Sequence, residues 1–76
     1  MRIIQDRAFQ RWEAYATTGD YGFDHPARIV FRCLTDPSER ARAVEIDGDK
    51  AVAELRVRRL SEEELHRLLS EAKVLG

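Results

Sequence analysis

The stretch IDGDKAVAEL, Ile46 to Leu55, carries two incompatible instructions, and the fold depends on which one prevails. Asp47-Gly48 between apolar residues is a strong hairpin signal, because a tight two-residue turn needs positive φ and these residue types tolerate it. Such a turn sets Glu45 opposite Lys50 and Val44 opposite Ala51. Carried further, the same register places Arg42 opposite Ala53 and Arg40 opposite Leu55. That mixes guanidinium groups into an apolar face, which long hairpins avoid. The competing instruction is a helix from about Lys50, capped by Asp49 and built of Ala51, Val52, Ala53, Glu54 and Leu55, nearly all good helix formers. Propensity and register favour the helix and only the dipeptide favours the hairpin, so a helix is expected over about 50–59.

The next segment is less divided. In LSEEELHRLLSEA, Leu60 to Ala72, Ser61 is placed to accept from the backbone N–H of Glu64 while Glu64 reaches back, and Leu60 is placed to pack on Leu65. Leu65, Leu68, Leu69 and Ala72 recur at helical spacing as one apolar stripe, leaving Glu62, Glu63, Arg67 and Glu71 to water. The acidic first turn and Lys73 near the end suit the helix dipole. A second helix is expected over about 62–74.

Upstream the chain reads as extended. Ile3, Ile4, Phe9, Trp12 and Tyr15 are of the types enriched in strands, and Trp12, Ala14 and Ala16 alternate with Arg11, Glu13 and Tyr15. With Asp6-Arg7-Ala8 as a tight connection, a hairpin of strands at about 2–6 and 9–16 is expected. ARIVFRCL gives a third strand at about 27–34, with Ile29, Phe31 and Cys33 on one face. Thr35-Asp36-Pro37-Ser38 breaks it, and a fourth strand is expected at about 39–46. The fold class is therefore α+β: an antiparallel sheet of three to four strands, with one or two C-terminal helices on the face carrying Trp12, Ile29 and Phe31.

A chain of 76 residues makes one domain, 1–76, and buries only about 60% of its unfolded surface. A lone cysteine, Cys33, excludes an internal disulfide framework and suggests a reducing, cytoplasmic setting. MRIIQDRAF lacks the apolar run of a signal peptide, and no segment approaches the roughly 18 apolar residues of a membrane helix. Thirteen basic residues against 14 acidic leave a net charge of −1, so no overall field draws the chain to phosphate polymers or anionic lipid.

The leading site candidate is the loop TTGDYGFDHPAR, Thr17 to Arg28, which is longer than the usual hairpin connection of about 2–5 residues. Tyr21 and Phe23 flank Gly22 and can stack on a flat ligand or a partner, or fold back as a lid over the core. Asp24 and His25, with Asp20, match neither an EF-hand nor a two-histidine zinc spacing, so no metal or other cofactor is expected. Arg28 and Arg32 join them as candidates. With Arg40 and Arg42 on an adjacent strand they would form a basic sheet face of the kind that holds single-stranded nucleic acid. Cys33 as a thiol nucleophile with His25 or His66 as base is weaker, because a mid-strand cysteine behaves as a small hydrophobe. No deep cleft is expected in so short a chain. The sequence is thus read as a non-catalytic interaction or regulatory module, with a protein partner or a second copy of itself to cover its remaining apolar surface. A single-strand binder is the alternative, and an enzyme using Cys33 or the 17–28 loop stands last.

Overall fold

The Asp47-Gly48 turn forms, but it feeds a helix. Gly48 takes φ +119, and the side chain of Val52 stands 3.0 to 3.1 Å from where a Cβ would sit, so the approach to the helix needs glycine. Asp49 then accepts a hydrogen bond from the Val52 N–H at 3.0 Å and starts α1, Lys50–Arg59. Among its residues only Ala53 and Val57, one turn apart, are buried, so α1 rests on the sheet by a narrow seam. The computed structural model in which these contacts are seen describes residues 1–18 and 26–75.

The far end of α1 is closed by a residue from the other end of the chain. The Arg2 guanidinium donates to the carbonyl oxygens of Leu60 at 2.8 Å, Val57 at 3.2 Å and Arg58 at 3.4 Å. These carbonyls belong to the last turn, where the helix has no N–H donors of its own to offer them and carries the negative end of its dipole. Arg2→Ala is expected to cost about 1–2 kcal/mol, the worth of a charge-assisted, partly exposed contact of this kind. The measurement is the denaturant midpoint. A midpoint equal to that of the native protein rejects the role.

The second helix, α2, spans Glu62–Glu71 with both halves of its capping box made: Glu64 N–H donates to Ser61 Oγ at 3.1 Å, and Ser61 N–H donates to Glu64 Oε1 at 3.4 Å. Leu65 and Leu69 are buried, with Leu68, Ala72 and Leu60 packed partly against the same core. It ends three residues short of the expected 74. Lys73–Val74 form a fifth strand, against the expected three or four, because the leucine stripe runs out at Ala72 and β-branched Val74 suits the open edge of the sheet.

The strands are β1 (Arg2–Gln5), β2 (Arg11–Thr17), β3 (Arg28–Cys33), β4 (Arg42–Glu45) and β5 (Lys73–Val74), antiparallel throughout and in the order β1-β2-β3-β4-β5. The expected α+β architecture holds, with two boundary corrections of physical interest. Phe9 and Gln10 belong to the β1–β2 turn and not to the second strand. Asp6 N–H donates to Gln10 O at 2.8 Å, and Phe9 turns at φ +63, a costly conformation for an aromatic residue. The fourth strand starts at Arg42 and not at 39, because Asp36 accepts from both the N–H and the hydroxyl of Ser38 and draws that stretch into a turn.

Pairing Trp12 with Cys33, Ala14 with Phe31 and Ala16 with Ile29 gathers the apolar positions on one face. With Ile4 and the flanking Ala27 and Ile46, they form the core beneath Ala53, Val57, Leu65 and Leu69. α1 lies along β2 and β3, while α2 touches β4 and β1. The opposite face carries Ile3, Glu13, Tyr15, Val30, Arg32 and Ala43, with no helix of the described residues upon it. No helix among the described residues is long and apolar enough to cross a membrane.

Candidate functional site

Between the Asp6–Gln10 turn and α2 lies a half-open cleft of about 650 Å3. The cause is the division of labour on α2. Leu65 and Leu69 take the sheet, which leaves Glu63, His66, Arg67 and Ser70 on the side toward the turn, and polar side chains do not close against it.

Trp12 forms the floor, its ring 1% exposed. A buried indole N–H needs an acceptor, and Asp6 supplies it: Trp12 Nε1 donates to Asp6 Oδ2 at 2.8 Å. The other carboxylate oxygen accepts the backbone N–H groups of Ala8 and Gln10, each at 2.9 Å, so one aspartate both fixes the turn and anchors the indole. Desolvation pushes the Asp6 carboxyl up. The indole, the Gln10 and Ala8 amides and nearby Arg42 outweigh it and hold the group below its ordinary 3.8.

Arg42 comes from β4 and places its guanidinium over the Trp12 ring, with Cζ 5.2 Å from the centroid. Its Nη2 lies 3.9 Å from Glu39 Oε2, at the limit of an ion pair. Arg42 Nε and His66 Nε2 are both shut off from solvent without a hydrogen-bond partner among the described residues. Both residues line the cleft. Two orphaned polar nitrogens on residues that line one cleft are unusual in a folded protein, where nearly all such atoms are paired.

Comparison with protein-family models, with curated proteins and with solved structures found no match. The chemistry of the cleft rests on its own side chains.

Of the residues weighed from sequence, Arg42 and His66 line this cleft. Tyr21, Phe23, Asp24 and His25, together with Asp20, lie outside the described residues. Arg28 sits on the helix-free face, level with Glu45 on β4. Arg32 is on that face too, its Nη2 2.9 Å from Glu13 Oε2. Arg42 is on the opposite face under α2, and Arg40 precedes β4, so the expected ladder of guanidinium groups on one face does not assemble. Cys33 closes β3, buried, with its Sγ 3.6 Å from Thr35 Oγ1. Among the described residues no group of three or more His, Cys, Asp or Glu is disposed to hold a metal ion.

A second feature is the contrast between the two edges of the sheet. The β5 edge is two residues long and carries an exposed lysine, Lys73, both of which discourage pairing. The β1 edge has twice the length and lacks a lysine or proline. Ile3 at 45% exposure, Met1 at 78% and Phe9 at 79% surround it.

Proposed function

We propose that this protein is a small non-catalytic interaction module that pairs with a second copy of itself along β1. The unguarded β1 edge, ringed by exposed Met1, Ile3 and Phe9, is the observation that carries the reading. In an antiparallel ladder every second residue of an edge strand turns its N–H and C=O away from the sheet, and a two-fold axis lets two such strands satisfy one another. The apolar side chains beside the strand are covered in the same step. A binding rather than a catalytic role is supported by three of the groups that could act as nucleophiles or bases. Ser70 donates its hydroxyl to Arg67 O at 2.7 Å, Asp6 is engaged by three donors, and Cys33 is buried in the core.

Sedimentation across a concentration series tests this. The native protein is expected to shift from monomer to dimer, and Ile3→Lys to remain monomeric while losing no more than about 0.5 kcal/mol of stability, as befits an exposed position. A native protein that is monomeric at every concentration removes the proposal.

A further inference from the structure

We propose that the cleft between the β1–β2 turn and α2 is a binding site for a small oxyanion, a carboxylate or phosphate group on a metabolite-sized molecule, held by Arg42 and His66. Self-association along β1 does not enter this inference, which stands on different residues.

Charge decides the sign of the ligand. Arg7, Arg42 and Arg67 line the cleft against two acids, Asp6 and Glu63. Asp6 is already neutralised in hydrogen-bonding terms by the indole and two backbone amides, and Glu63 stands exposed on the first turn of α2. What the cleft has left over is donors. The orphaned Arg42 Nε–H is a donor by chemistry, because a guanidinium has no acceptor, and His66 donates through Nε2 in its cation or in one of its two neutral tautomers. A ligand rich in acceptors completes this set, and a cationic or purely apolar ligand leaves it orphaned.

Geometry decides the form of the ligand. The Arg42 guanidinium lies over the Trp12 ring, its Cζ 5.2 Å from the centroid, and its planar fork of N–H donors suits the two-oxygen edge of a carboxylate or phosphate. The volume, about 650 Å3, lies within the range of small-molecule sites, roughly 300–1,000 Å3, and exceeds what a bare inorganic ion fills. Both orphaned nitrogens are closed to solvent in the unliganded arrangement, so uptake requires the Arg42 and His66 side chains to turn toward the cleft. That is a rotamer change and needs no shift of the sheet.

The protein supplies its own reporters: one tryptophan, whose indole N–H resonance sits at the floor of the site, and the Nε–H resonance of Arg42. The native protein is titrated separately with inorganic phosphate and with succinate, and both resonances are followed by proton–nitrogen correlation spectra. Saturable one-to-one shifts of both resonances are expected with at least one anion, with a dissociation constant at or below about 1 mM. Phosphate alone identifies a phosphate-bearing ligand, succinate alone a carboxylate-bearing one, and both together an unselective oxyanion site; each supports the proposal. Arg42→Lys and His66→Gln, checked for native amide dispersion, are each expected to bind about tenfold more weakly, because each replaces a fixed ring or fork with a flexible or misplaced donor. Absence of saturable shifts with either anion overturns the proposal, as does undiminished affinity in both variants. Should Arg42→Lys lose its fold, His66→Gln on the half-buried side of α2 alone decides.

Discussion

Replacing Trp12 by alanine is expected to leave the chain without a cooperative unfolding transition at room temperature. The indole is the largest fully buried side chain, and its neighbours come from three strands and the β1–β2 turn: Ile4 and Cys33 level with it on the flanking strands, Arg42 over its face, Asp6 at its N–H. Removing a buried aromatic costs about 3–5 kcal/mol in lost transfer and cavity terms. Stranding Asp6 without its partner adds about 1–3 kcal/mol. Against this stands the whole stability of a domain this small, about 4–11 kcal/mol at the usual value per residue. The loss therefore consumes most or all of it. Trp12→Phe separates the two contributions, since it keeps a ring beneath Arg42 and removes only the indole N–H and some volume. It is expected to fold with a loss of about 1–3 kcal/mol. A Trp12→Ala protein that unfolds cooperatively within about 2 kcal/mol of the native protein would mean that the core does not converge on the indole.

The parts of the fold that local chemistry determines were legible in the residues themselves. The capping box at Ser61 and Glu64 and the stripe of Leu65 and Leu69 depend on neighbours within two turns, and both are present as read. The alternation around Trp12, Ile29 and Phe31 was equally plain, because each strand buries one face only. Elements set by distant partners were not. Lys73–Val74 has no strand signature of its own length and becomes β5 because β4 offers it an edge, through Arg42↔Val74 and Ala43↔Lys73. Asp47-Gly48 has the composition of a hairpin turn and makes a turn, but a dipeptide specifies only a change of direction and leaves the next element open. The helix was settled by Asp49 and the propensity of the residues after it.

The cleft was almost invisible for the same reason. Asp6, Arg42 and His66 lie on the β1–β2 turn, the fourth strand and the last helix, and no spacing rule joins residues 6, 42 and 66. One signal was available. A tryptophan at an inward strand position needs an acceptor for its N–H once buried, and the nearest acidic residue across a tight turn was Asp6. That requirement leads to the floor of the cleft, though not to Arg42 or His66. The arginines, by contrast, were conspicuous by number and misleading by placement. Counting them does not tell which face of a strand each one takes until the register is known, and the register puts Arg32 and Arg42 on opposite faces.

Asp6→Asn is expected to cost about 2 kcal/mol at neutral pH, and the cost is expected to shrink as the solution is made acid. The first part rests on donors and acceptors. Asparagine can still accept from the Ala8 and Gln10 amides through its one carbonyl oxygen, but its amide then meets the Trp12 N–H donor to donor, where the carboxylate oxygen accepted at 2.8 Å. Losing a charged acceptor at a half-buried site is worth about 1.5–3 kcal/mol. The second part rests on the direction of the Asp6 shift. Desolvation raises this carboxyl, but its hydrogen bonds and Arg42 lower it further, so the folded value lies under the 3.8 of the unfolded chain. Above about 3.8 the carboxylate is ionised in both states and its stabilisation is fully present; as pH falls through the lowered folded value the native protein takes up the proton and that stabilisation is lost. Asp36 is lowered as well, by its bonds to Ser38, but it is common to both proteins and cancels in their difference. Urea midpoints of the two proteins from pH 7 down to about 2 are therefore expected to converge as the native protein loses its advantage. A gap that stays constant over that range would mean that the charge on Asp6 contributes nothing, and a gap of zero at neutral pH would mean that the indole does not depend on its acceptor.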